Sequence, residues 1–119
     1  MRVRVALCAV VVCLSVGRVA VAQDAVKVDP KHYSVISEND QVRILKVHYG
    51  AHEKSVMHSH PNAVAVYLTD GKAKMTSADG KSQESTGKAG TAMYTPATTH
   101  LPENVGDKAF DLIVVELKK

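Results

Sequence analysis

The chain has 119 residues, a length that suits one small domain. Its formal charge of +3 is set by Arg2, Arg4 and Arg18; past residue 22 the 12 remaining basic residues balance 12 acidic ones. That balance argues against a nucleic-acid partner or an anionic membrane surface, and with Cys8 and Cys13 both in the N-terminal stretch the rest of the chain has no disulfide or thiolate chemistry.

Residues 1–22 read as a signal peptide. Arg2 and Arg4 form a positive start, Val5 to Val16 is apolar apart from Ser15, and Ala20-Val21-Ala22 offers a small-x-small cleavage site. The apolar core is about a dozen residues, short of the roughly 20 that a spanning helix needs. Neither cysteine follows a small-residue lipobox. Cleavage after Ala22 is therefore expected, with a periplasmic or secreted product and no membrane attachment after cleavage. The single domain is then residues 23–119, held together without a staple by its core, a metal or a dimer interface.

From Gln23 to Pro30 a polar leader is expected to be loosely ordered. Gln41 to Tyr49 is strand-like, and its alternation slips at Ile44-Leu45, which predicts a bulge or burial on both faces. Lys54 to His60 is a second extended run, broken at Pro61-Asn62. Ala63 to Leu68 reads as a buried strand, with Asp70-Gly71 as a hairpin turn into Ala73 to Ser77. Asp79-Gly80 turns the chain into Lys81 to Thr86. Thr91 to Thr95, a short piece from His100, and Phe110 to Leu117 complete a series of about eight or nine short strands. No segment has a convincing helical period, so the chain reads as all-β, a sandwich or barrel. The expected core is Val42, Ile44, Val64, Val66, Leu68, Met75, Met93, Leu112, Val114 and Leu117.

His58-Ser59-His60 carries the chemistry. Alternate side chains of a strand share a face, so His58 and His60 project together and can grip one metal through neutral imidazole nitrogens. The plain alternative is a pair of surface or interface histidines. Around this pair run two blocks. The first is Gly50, seven residues, His58-Ser59-His60, three residues, Val64, six residues, Gly71; the second is Gly90, five residues, Pro96, three residues, His100, three residues, Asn104.

Together the blocks resemble the two motifs of the cupin superfamily, small jelly-roll β-barrels with a central metal. The resemblance implies that His58, His60 and His100 are metal ligands and that the barrel forms a homodimer. Three departures accompany it. Val64 stands where the family usually has a glutamate ligand, the first motif is two residues longer between Gly50 and His58, and the second lacks the usual glycine and one residue before His100.

A valine donates no electron pair, so three imidazoles would leave two or three positions for water or substrate. Such a set favours iron, zinc, copper or nickel over magnesium or calcium. Glu103, the carboxylate nearest to His100 in sequence, is read as solvated, the alternative being a replacement ligand. Asn104 is read as a loop-capping residue rather than a catalytic one. His48 and His52 flank Gly50 and are expected at separate strand or turn positions, while Met57 should face away from its neighbour His58. Met93 is unassigned, and Tyr67 and Tyr94 are taken as packing residues.

Two functions follow from the resemblance. One is an exported metal-dependent enzyme, dioxygenase-like or Lewis-acid, acting on a small molecule. The other is a non-catalytic module of the same fold that binds a metal or small ligand. No nucleophile arrangement or phosphate loop favours any other chemistry.

Overall fold

A computed structural model describes residues 23–119; the signal-peptide reading of residues 1–22 lies outside the described residues. A four-residue helix, α1 (Ala25–Val28), precedes nine strands: β1 (Tyr33–Glu38), β2 (Val42–Tyr49), β3 (His58–His60), β4 (Ala63–Tyr67), β5 (Gly71–Ser77), β6 (Ser82–Gly87), β7 (Ala92–Thr95), β8 (Thr98–Asn104) and β9 (Phe110–Leu117). The all-β class is as expected. The strands form two sheets, one of five in the order β1-β2-β9-β4-β7 and one of four in the order β3-β8-β5-β6, with antiparallel pairing throughout. Their inner faces enclose a core and a cavity, and the site lies on β3 and β8 at one side of that cavity.

The leader is ordered, contrary to expectation. Ser59 donates its backbone N–H to Gln23 O at 2.7 Å, Ala25 is fully buried, and Asp24 pairs with Arg43 of β2. The following β1 is likewise a strand that the sequence does not announce; of its six residues only Tyr33 is buried, which leaves no alternation to read. The irregularity expected at Ile44-Leu45 falls in the partner strand, where Ile36 is the extra residue between the pairs Val35–Leu45 and Ser37–Ile44.

Asp79-Gly80 turns β5 into β6 as a hairpin, with Gly80 at φ 87°, where a side chain would be strained. Asp70-Gly71 does not make a hairpin: β4 and β5 belong to different sheets, and the chain crosses between them here. The two sheets close tightly at Gly87, where an added Cβ would stand 2.2 Å from the Tyr67 ring.

The expected core has the wrong phase in β2 and β4. Leu45, Val47 and Tyr49 point inward, as do Ala63, Ala65 and Tyr67, whereas Val42, Ile44, Val64 and Val66 lie half-buried on the opposite face. Leu68, Met93 and Leu117 are exposed; Met75, Leu112 and Val114 do pack against the core. In β4 both faces are apolar, so hydrophobicity alone does not select the inward one, and the small Ala63 and Ala65 side chains that do point inward line the cavity.

Candidate metal centre

Strand period and register build the site. His58 and His60 occupy alternate positions of β3 and so share its inner face, and the antiparallel pairing sets His100 of β8 directly opposite His58. The outward residues between them, Ser59 and Thr99, join their hydroxyls at 2.7 Å across the same pair of strands. One nitrogen from each of His58, His60 and His100 lies within 4.8 Å of the other two. The rings stand 4.8–5.3 Å apart, nearly perpendicular to one another, so none stacks over another's lone pair.

Two of the rings are fixed from behind. His58 Nδ1 donates to Val56 O at 2.8 Å, with Ser55 Oγ at 3.3 Å, which leaves Nε2 as the free lone pair. His60 Nδ1 donates to Glu116 Oε2 at 2.7 Å. Glu116 is buried, and its other oxygen accepts from Arg43 Nε at 2.6 Å; Arg43 in turn grips Asp24. Behind Ser55 a second chain begins: Ser55 Oγ donates to Asp29, whose carboxylate also takes His32 Nδ1 at 2.7 Å, and His32 Nε2 reaches Glu53 at 3.0 Å. Lys31 and His32 beside Glu53 hold its carboxyl down at about 2. Carboxylates and carbonyls that orient imidazoles in this way fix the tautomer and strengthen the donor nitrogen.

The Nε2 atoms of His58 and His100 are buried and have no hydrogen-bond partner among the described residues. Unpaired buried nitrogens are costly, and a divalent ion between the rings would use both lone pairs. The donor set therefore fits a metal. Burial, helped by the neighbouring imidazoles, pushes His58 down to about 4 and His100 down to about 3, so both rings are neutral donors at pH 7.

These shifts have a consequence for the metal-free protein. Between pH 6.5 and about 4 the unfolded chain takes up protons at these two histidines and the folded chain does not. Their contribution to stability is complete above pH 6.5 and is lost as the pH falls toward 4 and then 3. Urea midpoints of metal-free protein should drop from pH 7 to pH 5, and less steeply in His100→Gln; equal slopes would contradict the assignment.

A cavity of about 240 Å³ opens from His60 and His100 between the sheets. Its wall is chiefly apolar, including Val47, Ala63, Ala65, Phe110, Leu112 and Val114, with the hydroxyl-bearing Tyr67, Ser85, Thr95 and Thr98. Tyr33 and Tyr49 also face it, joined hydroxyl to hydroxyl at 2.7 Å, and the Tyr33 ring packs edge-on against His58. Burial raises both phenols, Tyr49 to about 12 and Tyr33 well above its ordinary value.

The remaining sequence candidates sit elsewhere. Val64 is on the outer face of β4, and the inward neighbours Ala63 and Ala65 cannot ligate either. Glu103 alternates with the inward Pro102 and Asn104 and pairs with Lys74 at 3.1 Å. Asn104 is fully buried and fastens loops: Nδ2 donates to Gly50 O and Lys108 O at 3.0 and 2.8 Å, and Oδ1 accepts from Gly106 N at 2.9 Å. His48 and His52 are exposed partners of Asp111 and Asp107. Met93 borders the cavity, Met57 does not, and Tyr94 is exposed. Glu116, Arg43 and the Asp29–Ser55 pair also belong to the site and are not among the sequence candidates.

Comparison with known proteins agrees with this architecture. The family model for the cupin domain matches residues 45–116. A cupin domain from Bordetella pertussis is 22% identical with a TM-score of 0.68, covering 73% of this chain and 92% of that one. A double-stranded β-helix protein from Klebsiella pneumoniae is 22% identical, with a TM-score of 0.58 and coverage of 71% and 74%. An RmlC-like cupin from Methanocaldococcus jannaschii is 17% identical, with a TM-score of 0.59 and coverage of 71% and 77%. No curated protein gives a significant match.

Proposed function

The chain belongs to the cupin family, and from that premise we propose that it is an exported protein holding one divalent transition metal through His58, His60 and His100, with a small molecule taken up in the adjoining cavity. The observation that carries this reading is the pair of buried, unpaired Nε2 atoms of His58 and His100 in a cluster where one nitrogen from each of the three histidines lies within 4.8 Å of the others. Three imidazoles favour iron, zinc, copper or nickel. An ion so held supplies Lewis acidity or, if redox-active, electron transfer toward dioxygen. The chain's own residues do the rest. Val56 O and Glu116 aim the His58 and His60 rings, Ala63 and Ala65 leave the cavity side open, and the chiefly apolar walls offer an apolar ligand a matching surface.

Elemental mass spectrometry tests this on residues 23–119 purified without an affinity tag. About one equivalent of metal is expected, lost in His58→Ala/His60→Ala. No metal in the wild type after reconstitution with each ion would overturn it.

One observation favours a second, non-catalytic reading. Among the described residues no carboxylate or lysine lines the cavity, and Tyr33 and Tyr49 stay protonated at neutral pH, so no side chain there other than the imidazoles moves a proton readily. A module that binds a ligand on its metal needs no such group.

The homodimer is proposed on the outer face of the five-stranded sheet. Ile44, Val115, Val64 and Tyr94 form a cross-strand row there, with Val66 and Ile113 beside it. The expected occupant is a second copy, applying the same row about a two-fold axis. Light scattering should give a dimer mass for the wild type and a monomer mass for Val64→Lys/Val115→Lys; a monomeric wild type would contradict this.

A further inference from the structure

We infer that the ligand of this cavity is a small monoanion, with one anionic donor placed against the metal, an apolar body, and no second charge. The inference rests on the metal-centre reading and adds the ligand's class to it.

The head group follows from charge. An imidazole that binds a metal is an uncharged ligand, and the inward β4 side chains Ala63 and Ala65, which line the same cavity, bring no carboxylate. The buried carboxylate next to the cluster, Glu116, is engaged from outside it: it accepts from His60 Nδ1 and pairs with Arg43, which also pairs with Asp24, so this group carries one net negative charge. A divalent ion at the cluster would have no anionic ligand among the described residues and one net negative charge beside it, so a single anionic donor completes the balance in a largely apolar site.

The body follows from the walls. Among the described residues lining the cavity there is no Lys, Arg, Asp or Glu; beyond the imidazoles its polar groups are hydroxyls and the Met75 and Met93 thioethers. A second charge on the ligand would be buried without a partner, which is costly. Zwitterions and dianions are disfavoured on this ground. Size sets a further limit: an apolar cavity of about 150 Å³ accepts benzene, so the 240 Å³ here suits a molecule of about ten non-hydrogen atoms.

The test uses Co(II)-loaded protein and three probes with the same six-carbon chain: hexanoate, 6-aminohexanoate and adipate. Binding is read from the Co(II) visible spectrum and from the shift in melting temperature. Hexanoate should bind at least about ten-fold more tightly than either of the others, a conservative expectation for one uncompensated buried charge. Equal or tighter binding of 6-aminohexanoate or adipate would overturn the inference alone. Failure to take up Co(II) would overturn it together with the metal reading.

Ala65→Phe locates the ligand: it fills the cavity and should weaken hexanoate at least about ten-fold while Co(II) uptake persists. Undiminished hexanoate binding in that variant would overturn the placement. Should the larger side chain prevent folding, Thr95→Arg adds a cation to the wall. It should shift the adipate-to-hexanoate affinity ratio toward adipate by about ten-fold, and an unchanged ratio would overturn the inference.

Discussion

If the site holds a metal as proposed, its removal is expected to lower the melting temperature of the protein by roughly 10–20 °C, and the His58→Ala/His60→Ala variant is expected to show no metal-dependent difference. The size follows from linkage. A ligand that binds only the folded state at a hundred times its dissociation constant contributes about 2.7 kcal/mol, and a domain of this size responds by about 4–8 °C per kcal/mol. Two features strengthen the expectation here. The domain lacks a disulfide past residue 22, and the metal would relieve two buried nitrogens that are otherwise unpaired. Differential scanning calorimetry of wild type and variant, each with and without chelator, measures the effect. Identical transitions for chelated and loaded wild type would contradict it.

Replacing Glu116 produces the second large effect, on affinity and on stability separately. Glu116→Gln keeps the shape but removes the charge that holds the His60 N–H, and outer partners of this kind are worth about 10–100-fold in metal affinity. Glu116→Ala goes further and takes away one of the two carboxylates on Arg43. Breaking a buried pair from one side costs about 3–5 kcal/mol; because Arg43 keeps Asp24, the lower end is expected. Chelator competition gives the first quantity and urea denaturation of metal-free protein the second. A Glu116→Gln protein with wild-type affinity would show that the bond to His60 does not support the site.

The fold was largely legible because its strands are short and its turns are marked by Gly, Asn, Asp and Pro, and because the two histidine blocks have family spacing. What stayed hidden has physical causes. α1 is too short to show a period, and β1 is an edge strand with a single buried side chain, so its partner β2 rather than its own pattern makes it a strand. Apolar size misled the choice of face in β4, where valines lie outward and alanines inward.

The outer partners of the histidines were present in the sequence as breaks in apolar alternation. Counting by two from Phe110 through Leu112 and Val114 arrives at Glu116, and counting back by two from Tyr49 through Val47 and Leu45 arrives at Arg43. Each is a charged residue in an inward position, and the register of β2 with β9 sets them directly opposite each other. Only that register reveals that they pair. The Asp29–Ser55 contact joins elements that the sequence leaves unconnected, and nothing local announces it.

The most direct test of the three-histidine centre is X-ray absorption on zinc-loaded protein, wild type beside His100→Ala. Three imidazole nitrogens at about 2.0–2.1 Å are expected in the wild type, completed by oxygen, and two in the variant. An identical shell in both proteins, or a wild-type shell made of oxygen alone, would contradict it.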